Sequence, residues 1–311
     1  MEFAHVPVML NECLDGLKIK SDGIYVDGTV GGAGHSIEIV KRLGEGGRLI
    51  AVDRDSDALE AASKRLAPYK DKVTFVHDDY KNLISELDTL GIGEVDGILL
   101  DLGVSSYQLD NAERGFSYMK DAPLDMRMDR EQPLTAYDVV NKYDEREIAN
   151  ILFDYGEEKL ARVIARNIVA KRAQKPIETT LELAKIVEDS YPAKTRWKFG
   201  HPAKRTFQAI RIAVNGELNA LDEAITAMAR RLKKGGRMAV ITFHSLEDRI
   251  VKSAFRELNL ACTCSPDFPV CVCGKVQEVE LVNKKPIVAS EEELQNNPRS
   301  QSAKLRIVER L

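Results

Sequence analysis

Short apolar runs alternate with amphipathic segments through the first hundred residues. Four of the runs have the length and the β-branched or aromatic content of strands, and each ends at a polar residue. They are 23–27, 48–53, 72–77 and 95–101. Between them, 36–43 and 57–66 carry apolar residues at helical spacing. This alternation predicts βαβ units around a parallel sheet, a fold that binds ligands at the carboxyl ends of its strands.

Beyond residue 110 the pattern changes to helices and loops. Residues 161–173 and 181–187 have helical spacing, with no clear strand pattern beside them. An amphipathic pattern at 217–232 then predicts a helix that Gly235 and Gly236 end. The middle of the chain is therefore expected to be a helical insertion.

The last part of the chain completes the α/β pattern. Residues 237–243 predict a buried strand, and Ser245 with Asp248 has the spacing of a capping box for a helix at 246–258. The strands expected to close the sheet are 275–281 and 303–308.

The sequence thus predicts an α/β, Rossmann-like fold in two domains. The core is discontinuous, 1–110 and 216–311, and a helical substrate-recognition domain is inserted at 111–215. With 311 residues, of which 44% are hydrophobic and 30% charged, the chain can bury a sizeable core, which excludes disordered and low-complexity classes. No apolar run approaches the ~20 residues of a membrane span, and no signal-peptide pattern is visible, so we expect a cytoplasmic protein without a membrane partner.

Charge is distributed unevenly, although the net charge is only −4. Residues 190–216, here called the basic segment, contain no Asp or Glu. Their fixed positive charges are Lys194, Arg196, Lys198, Lys204, Arg205 and Arg211. The interleaved rings are Trp197, Phe199, His201 and Phe207. Such a segment is typical of a surface for phosphates and bases, and equally of a solvated helix flank on an acidic protein.

The strongest chemical signal is the glycine-rich turn YVDGTVGGAGHS at 25–36, which leaves the first strand and enters a helix. Glycines there let backbone amides approach a ligand closely. The second strand ends at Asp53, where a carboxylate can accept hydrogen bonds from both ribose hydroxyls of a nucleoside. These features indicate a site for a nucleoside cofactor.

The turn does not suit a pyrophosphate. No register of its glycines gives G-x-G-x-x-G, and no Lys follows Gly34 as a Walker loop requires. Asp27 heads the turn, and a carboxylate repels phosphates but attracts the sulfonium and ammonium groups of S-adenosylmethionine. We therefore favour an S-adenosylmethionine site over a purely structural βα turn.

Long motifs follow one another along the chain. They are HVPV at 5–8, YVDGTVGGAGHS at 25–36, AVDRD at 51–55, DGILLDLGVSSYQLD at 96–110, RGFSY at 114–118, PLDMRMD at 123–129, YGEEKLARVIA at 155–165, HPAKRTFQAIRIAVNGEL at 201–218, FHSLEDRIVK at 243–252 and NPRSQSAKLR at 297–306. In the content and order of these motifs the chain resembles the ribosomal RNA small-subunit methyltransferase H family, also called MraW.

The resemblance implies a class I methyltransferase core that uses S-adenosylmethionine to methylate the exocyclic N4 of a cytidine in the decoding region of 16S rRNA. The implied partner is 16S rRNA or the small ribosomal subunit, and a homodimer is left open. The cofactor positions of the family fall on Ala33, Gly34, His35, Asp53, Tyr80, Asp101 and Gln108. Two of these depart from the common residue: Ala33 replaces a glycine, which questions the geometry of the turn, and Tyr80 replaces a phenylalanine, which keeps a stacking face.

Methylation of an amine needs positioning and a proton acceptor rather than a metal or a covalent nucleophile. The acceptor candidates are Asp101, Ser105 and Ser106 after the fourth strand. DNA amino-methyltransferases carry a motif at that place whose two prolines this chain lacks, and Asp101 can instead be wholly occupied with the cofactor. His244 is a further candidate for proton acceptance or base contact, weighed against a histidine that only starts a helix.

Three residues of the basic segment, Arg205, Gln208 and Arg211, lie three apart and are expected on one helix face within reach of one phosphate backbone. Together with the resemblance, their spacing favours an RNA surface over a solvated flank. The motif PLDMRMD has two alternatives: Asp125, Arg127 and Asp129 organise the substrate entrance, or Arg127 pairs with a carboxylate and holds the inserted domain on the core.

Four of the five cysteines crowd into one segment, unlike a disulfide framework. They are Cys262, Cys264, Cys271 and Cys273. Two alternatives remain: a structural zinc knuckle, although C-x-C is tighter than the usual spacing, and a metal-free reduced loop. The cluster is not part of the shared pattern of the family, so catalysis should not depend on it.

Two other functions stay open from the sequence. One is an S-adenosylmethionine enzyme that acts on a free nucleoside, a protein or DNA, and the basic segment speaks against it. The other is a ribosome-assembly factor with a relict cofactor pocket, and the intact glycine turn with Asp53 and Asp101 speaks against that.

Overall fold

The structure, a computed structural model, describes residues 7–194, 196–198, 200–264 and 270–311, without the side chain of Ser106. The chain divides into two compact units. The core unit combines Met1–Gly103 with Ala220–Leu311, and the helical unit is Val104–Asn219. The helical unit thus begins earlier and ends later than the 111–215 expected from the sequence. Phe199 and the first two residues of the HVPV motif lie outside the described residues.

The elements follow one another in an order that separates the two units. The first part of the core unit contains α1 Leu10–Leu17, β1 Ile24–Asp27, α2 Gly34–Val40, β2 Arg48–Asp53, α3 Ser56–Leu66, β3 Val73–His77, α4 Leu83–Thr89 and β4 Val95–Asp101. The helical unit contains α5 Ser106–Asp110, α6 Ala136–Lys142, α7 Glu145–Gly156, α8 Ala161–Arg172, α9 Thr180–Ser190 and α10 Ala203–Asn215. The core unit resumes with α11 Leu221–Arg230, β5 Leu232–Thr242, α12 Ser245–Asn259, β6 Val279–Leu281, α13 Glu291–Asn296 and β7 Lys304–Arg310. Short 3-10 turns are Ala67–Lys72, Tyr80–Asn82, Ala112–Arg114 and Pro298–Ser302.

The strands of the core unit form one sheet in the order β3-β2-β1-β4-β5-β7-β6. The first five strands in this order pair in parallel, and β7 runs antiparallel to both β5 and β6. The order of the chain reverses between β1 and β4, the place where open α/β sheets bind ligands at their carboxyl edge. The Rossmann-like α/β fold predicted from the sequence is confirmed.

The central strands are buried along almost their whole length. Every residue of β4 except its last is buried, and β2 is buried from Leu49 to Val52. Continuous burial, rather than alternation, is expected where helices cover both faces of a parallel sheet. At their carboxyl ends, β2 and β4 reach partial exposure at Asp53 and Asp101, so both strands end where they can meet a ligand.

The sequence prediction was wrong about Gly235 and Gly236, which lie within β5 instead of ending a helix. The register between β4 and β5 shifts between Val95 and Gly97, and Gly235 there has a φ of +75°. A Cβ at Gly236 would lie 2.8 Å from the carbonyl oxygen of Lys233. The two glycines therefore serve an irregular, bulge-like start of the strand.

The prediction that Ser245 and Asp248 form a capping box was also wrong. His244 is the N-cap of α12, because the chain leaves β5 in an extended conformation at this residue (φ −139°, ψ 164°). Its ring Nδ1 accepts a hydrogen bond from Glu247 N at 3.4 Å, and Glu247 Oε2 accepts one from His244 N at 3.3 Å. The capping box exists one residue earlier than the sequence suggested.

The helical unit has its own apolar core. Side chains such as Met126, Leu152, Ile164, Leu183 and Ile210 are buried in one cluster. Helices α6, α7 and α9 each begin with a reciprocal capping box, which fixes where they start. Among the described residues, no helix is both long enough and apolar enough to cross a membrane.

Candidate functional site

Asp27 ends β1 and organises the glycine turn from beneath. Its side chain is 1% exposed, its Oδ2 accepts a hydrogen bond from Ser36 Oγ at 2.7 Å, and its Oδ1 accepts one from Thr29 N at 3.2 Å. The carboxylate therefore ties the first strand both to the turn and to helix α2. It acts as a positioning residue below the site rather than as a surface contact.

The turn itself contains Ala33 and Gly34, two of the positions that the sequence analysis assigned to cofactor binding. Ala33 is the N-cap of α2 with a φ of +59°, a left-handed conformation that costs an L residue about 1 kcal/mol. A Cβ at Gly34 would come within 2.9 Å of Pro7 Cγ, so only glycine fits there without movement. The alanine in place of a glycine keeps the turn, with its methyl group fully buried.

Asp53 at the end of β2 faces the same turn. Its Oδ2 accepts a hydrogen bond from Gly31 N at 2.8 Å, and its Oδ1 accepts one from Asp55 N at 2.9 Å. Each carboxylate oxygen has a second lone pair that these bonds leave available. The side chain is thus held rigidly and can still accept hydrogen bonds from the two hydroxyls of a ribose.

Asp101 at the end of β4 is fixed through its backbone, because its amide donates a hydrogen bond to Thr29 Oγ1 at 2.7 Å. Its Oδ1 is buried and has no hydrogen-bond partner among the described residues, while the side chain as a whole is 26% exposed. His35 Nδ1 lies 3.8 Å from Asp101 Oδ2, and His35 Nε2 is 2.9 Å from the carbonyl oxygen of Val8. A buried carboxylate oxygen without a partner is a site that awaits a donor.

These three residues, Asp27, Asp53 and Asp101, are called the strand-end carboxylates below. Burial, opposed by hydrogen bonds, raises the pKa of Asp27 and of Asp53 to about 6. Burial and repulsion by Asp27 and Glu247 raise the pKa of Asp101 to about 8. Desolvation is the largest contribution to the pKa of each of the three carboxyls, and at Asp53 it outweighs the attraction of Arg54. The site therefore favours a positively charged ligand.

Tyr80 follows β3 and begins a 3-10 turn whose N-cap is Asp79. A Cβ added at Gly28 would lie 3.3 Å from the Cβ of Tyr80 and 2.5 Å from Leu100 Cδ2. Tyr80 therefore packs close to the backbone of the glycine turn. This position beside the turn is compatible with the stacking face expected from the sequence.

Ser105 and Gln108 belong to the helical unit, where they cap α5. Ser105 Oγ accepts a hydrogen bond from Gln108 N at 3.2 Å, and Gln108 Oε1 accepts one from Ser105 N at 2.9 Å. Gln108 is 4% exposed. Their roles toward cofactor and base stay predictions, and the side chain of Ser106 lies outside what the structure describes.

His244 shows the plainer of its two alternatives, that of a histidine at a helix start. Besides capping α12 through Nδ1, its ring has Nε2 3.1 Å from Glu247 Oε1, and its side chain is only 6% exposed. Proton acceptance by this ring would compete with the cap. The role of His244 as a candidate for proton acceptance or base contact stays a prediction.

The three RNA candidates of α10 already have partners within the helical unit. Arg205 Nη1 donates to Glu157 O at 3.1 Å, and Gln208 Nε2 donates to Tyr155 O at 3.1 Å. Arg211 forms a two-pronged ion pair with Glu217, with N···O distances of 2.8 and 2.9 Å. Because Glu217 is 7% exposed, this pair fixes the end of α10, and a phosphate would have to displace it.

The aromatic residues of the basic segment form a better platform than these polar residues. The ring centroid of His201 lies 4.4 Å from that of Tyr118 and 5.1 Å from that of Trp197. Trp197 is 57% exposed. A groove of about 380 Å³ opens beside Tyr118 and His201, with Lys185 also in its lining. Exposed rings between positive charges can stack with unpaired bases.

Arg127 pairs with a carboxylate, as one of its two alternatives expected, and that carboxylate belongs to the helical unit itself. Its guanidinium pairs with both carboxylate oxygens of Asp125, at 2.9 and 2.8 Å, and donates to the carbonyl oxygens of Arg130 and Gln132. All its partners lie in the helical unit, so Arg127 stabilises a local loop.

The four clustered cysteines meet in space. Their Sγ atoms all lie within 4.8 Å of one another, and all four thiols are free. The N–H groups of Thr263 and Lys275 lower the pKa of the Cys273 thiol to about 5. The cysteines are therefore arranged as ligands rather than as disulfides.

The sequence analysis missed two residues that shape the cofactor site. Thr29 holds the backbone of Asp101, and Ser36 holds the carboxylate of Asp27. Both lie inside the glycine-rich motif, and hydroxyl side chains so close to carboxylates were the available signal. Their partners are set by the pairing of β1 with β4 and by the first turn of α2, which the sequence alone does not show.

The chain matches the model of the MraW methylase family over residues 2–311. It is 57% identical over 311 residues to ribosomal RNA small subunit methyltransferase H of Lachnospira eligens, which covers 100% of this chain and 99% of that protein. A protein of the same name from Clostridium botulinum strain Kyoto is 57% identical, with 100% of both chains covered. Another, from a Paenibacillus species, is 58% identical over 315 residues, with 99% of this chain and 100% of that protein covered. The chain therefore belongs to the MraW methylase family.

Proposed function

We propose that the protein transfers a methyl group from S-adenosylmethionine to the exocyclic N4 of a cytidine in the decoding region of 16S rRNA. The observation that carries the cofactor assignment is the group of strand-end carboxylates at the carboxyl edge of the sheet, two of them at its switch point, with Asp101 Oδ1 buried and without a partner among the described residues. The substrate assignment is supported by the relatives, whose names make them methyltransferases of small-subunit rRNA.

The residues present fit S-adenosylmethionine. Asp101 Oδ1, buried and without a partner, offers an acceptor for a cationic or N–H donor group. Asp53 offers acceptors for ribose hydroxyls while the amide of Gly31 holds it in place. Next to them, a Cβ at Gly32 would meet nothing within 4 Å, so the turn leaves open space for a ligand. A pyrophosphate cofactor would instead meet the repulsion of the carboxylates.

When bound, S-adenosylmethionine supplies a methyl group that its sulfonium already activates. The residues of this chain then have two tasks, to align the acceptor nitrogen and to remove a proton. The amino lone pair of cytosine is conjugated with the ring, so an acceptor of its N–H bond favours the reactive geometry. We assign this acceptor to Asp101, whose raised pKa makes its carboxylate a stronger base than an exposed Asp. As the bond from nitrogen to the methyl carbon formed, the bond from that carbon to sulfur would break and leave its electron pair on the sulfur. The surplus proton on nitrogen would pass to an oxygen of Asp101.

The helical unit supplies the RNA surface in this proposal. Its exposed Trp197 and the stacked pair of Tyr118 and His201 provide ring faces for unpaired bases. Exposed Lys204 and Arg205 at the start of α10 provide charge for phosphates. A cytidine inside a folded ribosomal particle has to leave its stack before its N4 can be reached, and stacking faces compensate part of that energy.

A methyl-transfer assay tests the proposal directly. Isotope-labelled S-adenosylmethionine is incubated with 30S subunits that lack the modification, and the nucleosides are identified by mass spectrometry. We expect labelled N4-methylcytidine at one position, and its loss in the Asp101→Asn variant. Cofactor binding without transfer to the 30S subunit would refute the substrate assignment. Failure to bind S-adenosylmethionine in calorimetry would instead favour the assembly-factor alternative.

A further inference from the structure

The loop between α12 and β6, in the part that the structure describes, has no apolar core of its own. Its described part contains no helix or strand, and its valines point into solvent: Val270, Val272 and Val276 are 69%, 73% and 73% exposed. A long loop of this kind is uncommon in a compact unit unless something holds it. Small apolar-poor segments are usually held by disulfides or by a metal.

The four thiols of this loop are spaced as metal ligands. The distance from Cys262 Sγ to Cys271 Sγ is 3.4 Å, and from Cys271 Sγ to Cys273 Sγ it is 3.5 Å. Cys264 Sγ lies 3.9 Å from Cys271 Sγ, and Cys273 Sγ lies 3.8 Å from Cys262 Sγ. Sulfur ligands about 2.3 Å from a tetrahedral zinc ion are about 3.8 Å apart, so one ion fits between all four. A disulfide would need two of the sulfurs about 2 Å apart.

Backbone amides donate hydrogen bonds to three sulfur atoms of this cluster. Cys264 N donates to Cys262 Sγ at 3.3 Å, Val272 N donates to Cys264 Sγ at 3.3 Å, and Thr263 N donates to Cys273 Sγ at 3.4 Å. Hydrogen bonds to ligand atoms disperse the negative charge that four thiolates bring to one metal ion. The two cysteine pairs, at 262–264 and 271–273, therefore each supply both sulfur ligands and amide donors.

We propose that Cys262, Cys264, Cys271 and Cys273 bind one structural zinc ion, independently of methyl transfer. Four Zn–S bonds form, the thiol protons pass to solvent, and no atom changes its oxidation state. A closed tetrathiolate site leaves no open coordination position, so its role is to hold the loop rather than to react. The ends of the loop are already joined to the core unit by the hydrogen bond from Glu278 N to Leu258 O and by the ion pair of Lys275 with Glu257.

The metal content of the full-length protein, purified under reducing conditions without chelator, tests this site. We expect one zinc per chain by elemental mass spectrometry, and a loss of most of it in Cys264→Ser and Cys271→Ser. Thr263→Ser, in the same loop, and Cys13→Ala, in the core, are the matched controls that retain it. Cys273→His should retain zinc where Cys273→Ser does not, because imidazole is also a zinc ligand.

A second readout keeps the test independent of folding defects in the variants. Cobalt(II) added to the reduced, metal-free protein should give the visible and near-ultraviolet bands of a tetrahedral thiolate site, and zinc should abolish them. Removal of zinc should accelerate proteolysis within the loop about tenfold or more, with the rest of the chain intact. Iron in place of zinc, no cobalt–thiolate absorption, or equal zinc in all cysteine variants would each overturn the proposal.

Discussion

The strand-end carboxylates of the core unit and the ion-paired carboxylates of the helical unit have pKa values that are shifted in opposite directions. In the core unit the pKa of Asp101 is raised to about 8, because burial and neighbouring carboxylates both disfavour its charge. In the helical unit, burial also raises the pKa of Asp125, but hydrogen bonds from Arg127 outweigh it and lower the pKa below its usual value. Lys142 and Thr135 similarly lower the pKa of Asp138 to about 2.

The direction of the pKa shift distinguishes the carboxylates of the candidate site from carboxylates that stabilise the fold. A carboxylate that holds its own structure together brings its cation in the same chain, as Asp125 does with Arg127 and Glu217 with Arg211. At the strand-end carboxylates, desolvation outweighs every contact within the chain, including the attraction between Arg54 and Asp53. A positively charged ligand would compensate part of that energy. The direction of a pKa shift thus indicates which acidic residues await a ligand.

The largest expected effect is that of Asp101→Asn on methyl transfer. The substitution removes the proton acceptor while it keeps the shape of the side chain, and the rate should fall about a thousandfold, as when one preorganised polar group is lost. Single-turnover transfer to unmodified 30S subunits measures this rate.

The matched variant Asp125→Asn turns this result into a test of the comparison. Asp101→Asn should raise the melting temperature of the ligand-free protein at pH 8, since the raised pKa means that ionisation of Asp101 costs stability. Asp125→Asn should lower the melting temperature, since a carboxyl with a lowered pKa contributes stability at that pH. Shifts in the same direction for both variants would contradict the distinction between the two regions.

Glu217→Gln should have the largest effect on the stability of the helical unit. It leaves the mostly buried guanidinium of Arg211 without its charged partner, and the free energy of unfolding should fall by about 3 kcal/mol. Urea denaturation followed by circular dichroism measures the change. In the double variant Arg211→Met with Glu217→Leu, most of this loss should be recovered, and no recovery would argue against a simple ion pair.

The affinity for S-adenosylmethionine should depend on pH. A cation binds the ionised form of Asp101, so protonation of Asp101 near pH 8 opposes binding directly. Protonation of Asp27 and Asp53 near pH 6 opposes it through the negative charge that both add beside the site and the hydrogen bonds by which they hold the glycine turn. Calorimetry should show the affinity rising about tenfold between pH 6 and pH 8.

The stability of the ligand-free protein should change in the opposite direction. A carboxyl whose folded pKa is raised stabilises the folded state at low pH, and this contribution is lost as pH rises through the folded value.

Asp101→Asn should flatten the dependence of S-adenosylmethionine affinity on pH near pH 8 and leave the dependence near pH 6 unchanged. An affinity that is independent of pH, or higher in acid, would contradict the assignment of an anionic site.

The smallest effect is expected at the RNA surface. Trp197→Ala should weaken binding to 30S subunits about fivefold, since stacking of one base contributes about 1 kcal/mol. Phe153, a 66% exposed aromatic residue of α7 outside the basic segment, gives the matched control Phe153→Ala. Equal affinities of the two variants, measured by filter binding at constant salt, would remove the basic segment from the proposed interface.

The strands that carry the cofactor site could be predicted closely from the sequence. Continuous apolar runs of strand length ended at Asp27, Asp53 and Asp101, and the structure ends β1, β2 and β4 at the same residues. The glycine turn was equally visible, because close backbone approach and left-handed φ values restrict the residue type. Capping and glycine signals were less informative. His244 rather than Ser245 caps α12, and Gly235 lies in a strand, because backbone direction after β5 and register against β4 decide both.

The sequence by itself determined the alternation of strands and helices, the helical insertion, and the chemical nature of the residues at the strand ends. Those features follow from local spacing and residue type, which the chain carries without reference to distant contacts. The tertiary structure alone decided which charges are paired. It joined Thr29 to Asp101, because residues far apart in the chain meet only when the elements pack. It also placed Arg211 against Glu217 and brought four cysteines within ligand distance, because the path of the backbone beyond α10 and α12 decides which nearby side chains meet. It also left Asp101 Oδ1 buried without a hydrogen-bond partner among the described residues, and this oxygen is the acceptor that the proposed cofactor site offers.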